Sequence, residues 1–168
     1  ETRRFGYGIV AMDPSGRLVA AALGTPPRYV NTIGQAEAHA LAVVLTNTVT
    51  RKRVVTDCLA NVGIINRGFK AATSGQCRAA RTWRIIQAAC DGDASMAALL
   101  WVPAHKSWEQ VKNARCSDGS PMSHLDWQGN RAVDELAKLA AKCDRTPWHY
   151  TKRLLATRSC SLHRRFRL

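Results

Sequence analysis

The chain has 168 residues, with 25 Lys plus Arg against 12 Asp plus Glu, a net charge of +13 and 46% hydrophobic residues. That length and apolar content fit one domain with a real core and exclude a mainly disordered or collagen-like chain. No apolar run approaches the roughly 18 residues of a membrane helix, so no membrane partner is expected. Glu1-Thr2-Arg3-Arg4 runs straight into Phe5-Gly6-Tyr7 and reads without a signal peptide. The charge points to an acidic partner, nucleic acid first, without separating a nuclease from a passive binder.

In chain order, Phe5 to Met12 alternates around small residues, and Asp13-Pro14-Ser15-Gly16 is a turn signal. Arg17 to Leu23 then predicts the second strand of a hairpin, and Gly24 to Val30 a loop. The spacing of Leu41, Val44, Leu45 and Thr48 predicts a helix over Gly34 to Asn47. Val54-Val55-Thr56-Asp57 is a short apolar strand ending on a carboxylate. Cys58 to Arg67 predicts a helix stopped by Gly68, and Gln76 to Cys90 another, with Ala79, Trp83, Ile86 and Ala89 on one side. Ala97 to Val102 is a buried strand, and Pro103-Ala104-His105 opens a long loop. A last helix runs from near Asp126 to about Lys142, with Ala132, Val133, Leu136, Leu139 and Ala140 as its stripe. The expected fold class is α/β, a mixed sheet flanked by helices.

The charge is uneven. Arg145, Lys152, Arg153, Arg158, Arg164, Arg165 and Arg167 share a stretch with no acid. Residues 1–142 therefore read as the folded domain and 143–168 as a basic extension, weakly folded after the Thr146-Pro147 breaker. Between Asp57 and Asp91 there is again no acid, while Arg67, Lys70, Arg78, Arg81 and Arg84 supply five positive charges. They form either a solvated helix face or a phosphate-tracking ridge. The six cysteines show no CxxC pair and no zinc-finger spacing, which suits scattered reduced thiols in an intracellular protein, nuclear or cytoplasmic.

Three carboxylates fall on elements expected to be buried. Glu37 shares a helical face with Leu41 and Val44, Asp57 ends an apolar strand, and Asp134 lies between Val133 and Leu136. Singly, each has an ordinary explanation: a first-turn acid, an N-cap, and an exposed acid balancing Arg131 or Lys138. Together they could converge beyond the carboxyl end of the sheet, where ligands collect in α/β folds. Carboxylates brought together repel unless a cation lies between them, and an oxygen-only set suits Mg²⁺ or Mn²⁺. On a basic protein such a centre suggests phosphodiester hydrolysis, with His105 in the following loop as a proton carrier. Trp108 and Trp127 flank that loop, either anchoring it or forming a lid that stacks on a sugar or base.

These residues resemble the ribonuclease H family over about Arg4 to Lys142. The likeness rests on five short pieces in the family's order. They are Phe5-Gly6-Tyr7-Gly8-Ile9-Val10, Gln35-Ala36-Glu37-Ala38-His39-Ala40-Leu41, Val54-Val55-Thr56-Asp57-Cys58, Leu100-Trp101-Val102-Pro103-Ala104-His105, and Gly129-Asn130-Arg131-Ala132-Val133-Asp134-Glu135-Leu136-Ala137. Arg3-Arg4 and Asp126-Trp127-Gln128-Gly129-Asn130 look most like copies linked to retroelements. The resemblance implies two-metal hydrolysis of the RNA strand of an RNA–DNA hybrid, by a monomer or part of a larger polyprotein. It matches Glu37, Asp57 and Asp134 to the second, third and fourth acids of a four-carboxylate site, and His105 to the family's loop histidine. The first acid has no match, because Glu1 to Arg4 hold no Asp and Asp13 sits at the far turn of the hairpin. The expectation is a chain lacking its central first strand, which binds hybrid and cleaves poorly. A non-catalytic nucleic-acid-binding module of the same fold is the alternative, and an integrase or resolvase fits the last two pieces less well.

Overall fold

The computed structural model describes residues 5–48, 53–93 and 99–143. The basic extension, beyond Cys143, lies outside them. The chain runs β1 (Tyr7–Met12), β2 (Leu18–Gly24), α1 (Ile33–Thr46), β3 (Val54–Thr56), α2 (Leu59–Ile65), α3 (Phe69–Ala72), α4 (Ala80–Ala89), β4 (Leu99–Trp101), α5 (Trp108–Val111) and α6 (His124–Cys143). The mixed α/β class is as expected. The helix anticipated from Gln76 starts only at Ala80, because residues 74–80 close two tight turns, Cys77 N–H to Ser74 O and Ala80 N–H to Cys77 O.

Among the described residues the mixed sheet is seen only in parts: the strands make two ladders, β1–β2 antiparallel and β3–β4 parallel. The β1–β2 hairpin turns on Asp13, whose carboxylate accepts from the Ser15 and Arg17 N–H groups at 3.0 and 2.9 Å. Gly16 follows at φ +85, a conformation glycine adopts without strain. β1 reaches the rest of the molecule through helices, α6 and α1, rather than through a ladder to β3. Its alternation explains the Gly-Tyr-Gly sequence. A Cβ on Gly6 would lie 2.1 Å from Ala137 O, and one on Gly8 2.5 Å from Val133 O, so bare backbone at both lets α6 lie directly on the strand. Tyr7, pointing the other way, packs edge-on against His39 of α1 at 5.4 Å. β2 is covered least: Leu18, Val19 and Leu23 are exposed along it.

The β3–β4 ladder separates two cores. Val54 and Leu99 pack with Ala38, Leu41, Ala42, Ile65, Phe69, Trp83 and Ile86. Val55 and Leu100, the next residues along each strand, face Val102, Val111, Cys116 and Met122. Both faces are thus buried, which is why these strands read as unbroken apolar runs instead of alternating ones. Thr32 caps α1 by accepting from the Gln35 N–H. Buried Gln35 in turn donates to Arg78 O at 2.7 Å, and Asn61 of α2 donates to Gly34 O at 3.3 Å. The start of α1 is therefore fixed against the α2–α4 layer. Within that layer, Gly63 in α2 has nothing within 4 Å of an added Cβ.

Two glycine substitutions should have opposite signs in urea denaturation. Gly8→Ala should cost about 2 kcal/mol by forcing α6 off β1, and Gly63→Ala should add up to about 1 kcal/mol through helix propensity alone.

Candidate metal centre

The centre is set by an ion pair some distance from it. Arg53, immediately before β3, makes a two-pronged contact with Asp126 in the first turn of α6: Nη1 donates to Oδ1, and Nη2 to Oδ2 at 3.0 Å. The Asp126 side chain is 3% exposed and that of Arg53 50%. Asp126 also belongs to a reciprocal cap, its N–H donating to Ser123 Oγ at 3.0 Å while the hydroxyl donates to Oδ2. Burial pushes the Asp126 carboxyl up, but the bonds from Arg53 and Ser123 outweigh it and hold the group below the usual carboxylate range. From Arg53 to Asp57 the strand advances about 13 Å, and from Asp126 to Asp134 the helix advances about 12 Å. Pairing Arg53 with Asp126 therefore brings Asp57 level with Asp134.

Asp57, His105 and Asp134 each offer one ligand atom, and these atoms lie within 4.8 Å of one another. Asp57 follows β3, and its carbonyl accepts from the indole of Trp101 on β4 at 3.0 Å. His105 follows β4 at φ 53, an uncommon conformation for a residue with a Cβ, and its Nδ1 stands 3.1 Å from Asp134 Oδ2. The His105 side chain is 74% exposed and that of Asp134 25%. Glu37 lies outside this trio yet belongs to the same electrostatic cluster. Burial first, then repulsion from Asp57 and Asp134, pushes its carboxyl up to about 7, with His105 acting in the opposite sense.

The expected trio of Glu37, Asp57 and Asp134 is thus altered: at ligand distance the imidazole takes the place of Glu37. Two of the ordinary explanations fail: the first turn of α1 holds no acid, and Cys58 rather than Asp57 occupies the N-cap of α2. Lys138 pairs with Glu135 while also feeling the Asp134 charge. Beside the cluster, burial together with the Glu37 and Asp57 charges pushes the Cys58 thiol up. Two acids and an imidazole facing one gap, with a third acid behind them, form a donor set suited to a divalent cation.

Arg67, Lys70, Arg78, Arg81 and Arg84 are all exposed on the α2–α4 layer. Arg81 lies over the Tyr29 ring at 4.2 Å, and Arg84 Nη2 reaches Thr73 O at 3.4 Å. Trp108 and Trp127 both pack on the second core, and the Trp127 indole donates to Lys106 O at 2.9 Å. They anchor the loop that carries His105. Cys58, Cys77, Cys90 and Cys116 are free thiols. Arg53 and Asp126 escaped the sequence reading. The one local trace of Asp126 is Ser123-x-x-Asp126 ahead of an apolar stripe, which signals a cap and says nothing of a partner 73 positions away.

Removing one partner of the clamp leaves Arg53 facing a buried site. Asp126→Asn should therefore cost about 3 kcal/mol in urea denaturation, the low end for a buried pair because Arg53 is half exposed. Glu37 binds its proton more tightly folded than unfolded. Its contribution is therefore fully present below about pH 4.5 and is lost as pH rises through about 7. Without metal, the stability of Glu37→Gln relative to the parent should rise between pH 5 and pH 8, and a flat difference would contradict that environment. No protein-family model, curated protein or solved structure matches the chain, so the chemistry of the centre rests on its own residues.

Proposed function

We propose that this chain is a ribonuclease H-like nuclease module that binds RNA–DNA hybrid and holds Mg²⁺ or Mn²⁺ at Glu37, Asp57 and Asp134. The observation that carries the reading is the convergence of Asp57, His105 and Asp134, from three separate motifs, with Glu37 in the same cluster. The antiparallel β1–β2 hairpin and the parallel β3–β4 pair are compatible with that fold. The exposed arginines and lysine of the α2–α4 layer are the surface that would follow a phosphate backbone.

The residues divide the work. Asp57 and Asp134 supply the charge that holds a cation, and Glu37 completes the set once it gives up its proton. A divalent ion held by these carboxylates would supply activation of water and stabilisation of the leaving oxygen of a phosphodiester. His105 keeps Nδ1 toward Asp134, leaving Nε2 of its largely exposed side chain to carry a proton to or from the leaving group. Other acids of the described chain have different work: Asp13 is committed to Ser15 and Arg17, and Asp126 to Arg53. Three matched acids against the family's four argue for hybrid binding that outlasts cleavage.

With Mg²⁺ present, the 168-residue chain should bind an RNA–DNA hybrid with a steep inverse dependence on salt and cleave it slowly. Asp57→Asn should weaken Mn²⁺ binding at least about tenfold. Fast cleavage abolished by Asp57→Asn would overturn the slow-cleavage reading, and Mn²⁺ binding indifferent to Asp57 would overturn the centre itself.

A further inference from the structure

The tight trio is not all oxygen. Asp57, His105 and Asp134 present two carboxylates and one imidazole. Magnesium takes oxygen donors and keeps several waters, whereas imidazole suits zinc, cobalt and nickel. His105 Nδ1 and Asp134 Oδ2 pair directly at 3.1 Å, a contact that an ion with bonds of about 2.0–2.1 Å would replace with little movement. His105 also holds a left-handed backbone conformation, which costs a residue with a Cβ of order 1 kcal/mol and persists only where its surroundings impose it. Its imidazole is thereby delivered over the acids while remaining open to ions from solvent.

We propose that the centre has a second mode of occupancy, in which a borderline transition-metal ion, zinc foremost, is held by Asp57, His105 and Asp134 with the imidazole as a ligand. The inference rests on the reading of this cluster as a metal centre and adds its selectivity. Hard ions are held through the carboxylates and leave His105 free to carry a proton. Zinc recruits the imidazole, and His105 can then no longer serve as that carrier. The same four side chains would therefore support two states that differ in what the loop histidine does, with the available metal deciding between them.

Equilibrium titration of the full chain with Zn²⁺ and, separately, Mn²⁺ tests this, with Co²⁺ absorption as the spectroscopic probe of the zinc mode. His105→Ala and His105→Gln should each weaken Zn²⁺ and Co²⁺ binding at least about tenfold and change Mn²⁺ affinity by no more than about twofold. Asp57→Asn should weaken both classes. If the His105 variants keep Zn²⁺ affinity while Asp57→Asn still abolishes Mn²⁺ binding, the second mode is wrong and the metal centre stands. If Asp57→Asn and Asp134→Asn alter neither ion, both fall. A thiolate-to-cobalt band that Cys58→Ser removes would make sulfur, rather than His105, the extra ligand and would equally overturn the proposal.

Discussion

The pairing of Arg53 with Asp126 is the constraint on which the centre depends. Neither residue touches the gap between Asp57, His105 and Asp134, yet together they fix where β3 lies along α6. A strand advances more than twice as fast per residue as a helix. Asp57, four positions past Arg53, and Asp134, eight past Asp126, become neighbours when the two elements are pinned at that pair. Bidentate geometry suits this use, since two parallel bonds define an orientation as well as a distance. Burial of the carboxylate makes a slip expensive, because Asp126 without its guanidinium would be a charge left in the core.

The second requirement is that α6 lie close to β1. Gly6 and Gly8 remove the side chains that would hold the helix away, while Tyr7 fills the opposite side against α1. α6 is therefore held at two places, its first turn by Arg53 and its second half by bare strand backbone. Asp134 falls at the start of the second stretch, next to Val133, whose carbonyl faces Gly8. α1 is positioned independently, by Gln35 and Asn61, and carries Glu37 toward the same gap. Four elements thus meet around one point although the described strands make no continuous sheet.

What could be read from the sequence followed the length of each signal. The apolar runs of β3 and β4 and the long stripe of α6 were plain, although Ala132, counted in that stripe, is exposed. α3 and α5, at four residues each, are too short to show a helical period. Glu37, Asp57 and Asp134 were legible only as a set, each having an ordinary local explanation until their neighbours were known. His105 was read as a proton carrier and not as a potential ligand, because its closeness to Asp134 depends on a left-handed backbone that no residue pattern announces. The Arg53–Asp126 clamp was invisible for a different reason: sequence displays caps and periods, and an ion pair between distant segments has neither.

β2 carries a further consequence. It is an apolar edge without a charged or proline residue from Leu18 to Gly24, and its outer side meets no other strand among the described residues. Proteins usually blunt such an edge locally, with a lysine, a proline or a covering loop. Here the safeguard is long-range: a net charge of +13 keeps copies of the chain apart. The positive surface that would draw a polyanion is then also what keeps the chain dispersed, and a partner that neutralises it takes away that protection as it binds.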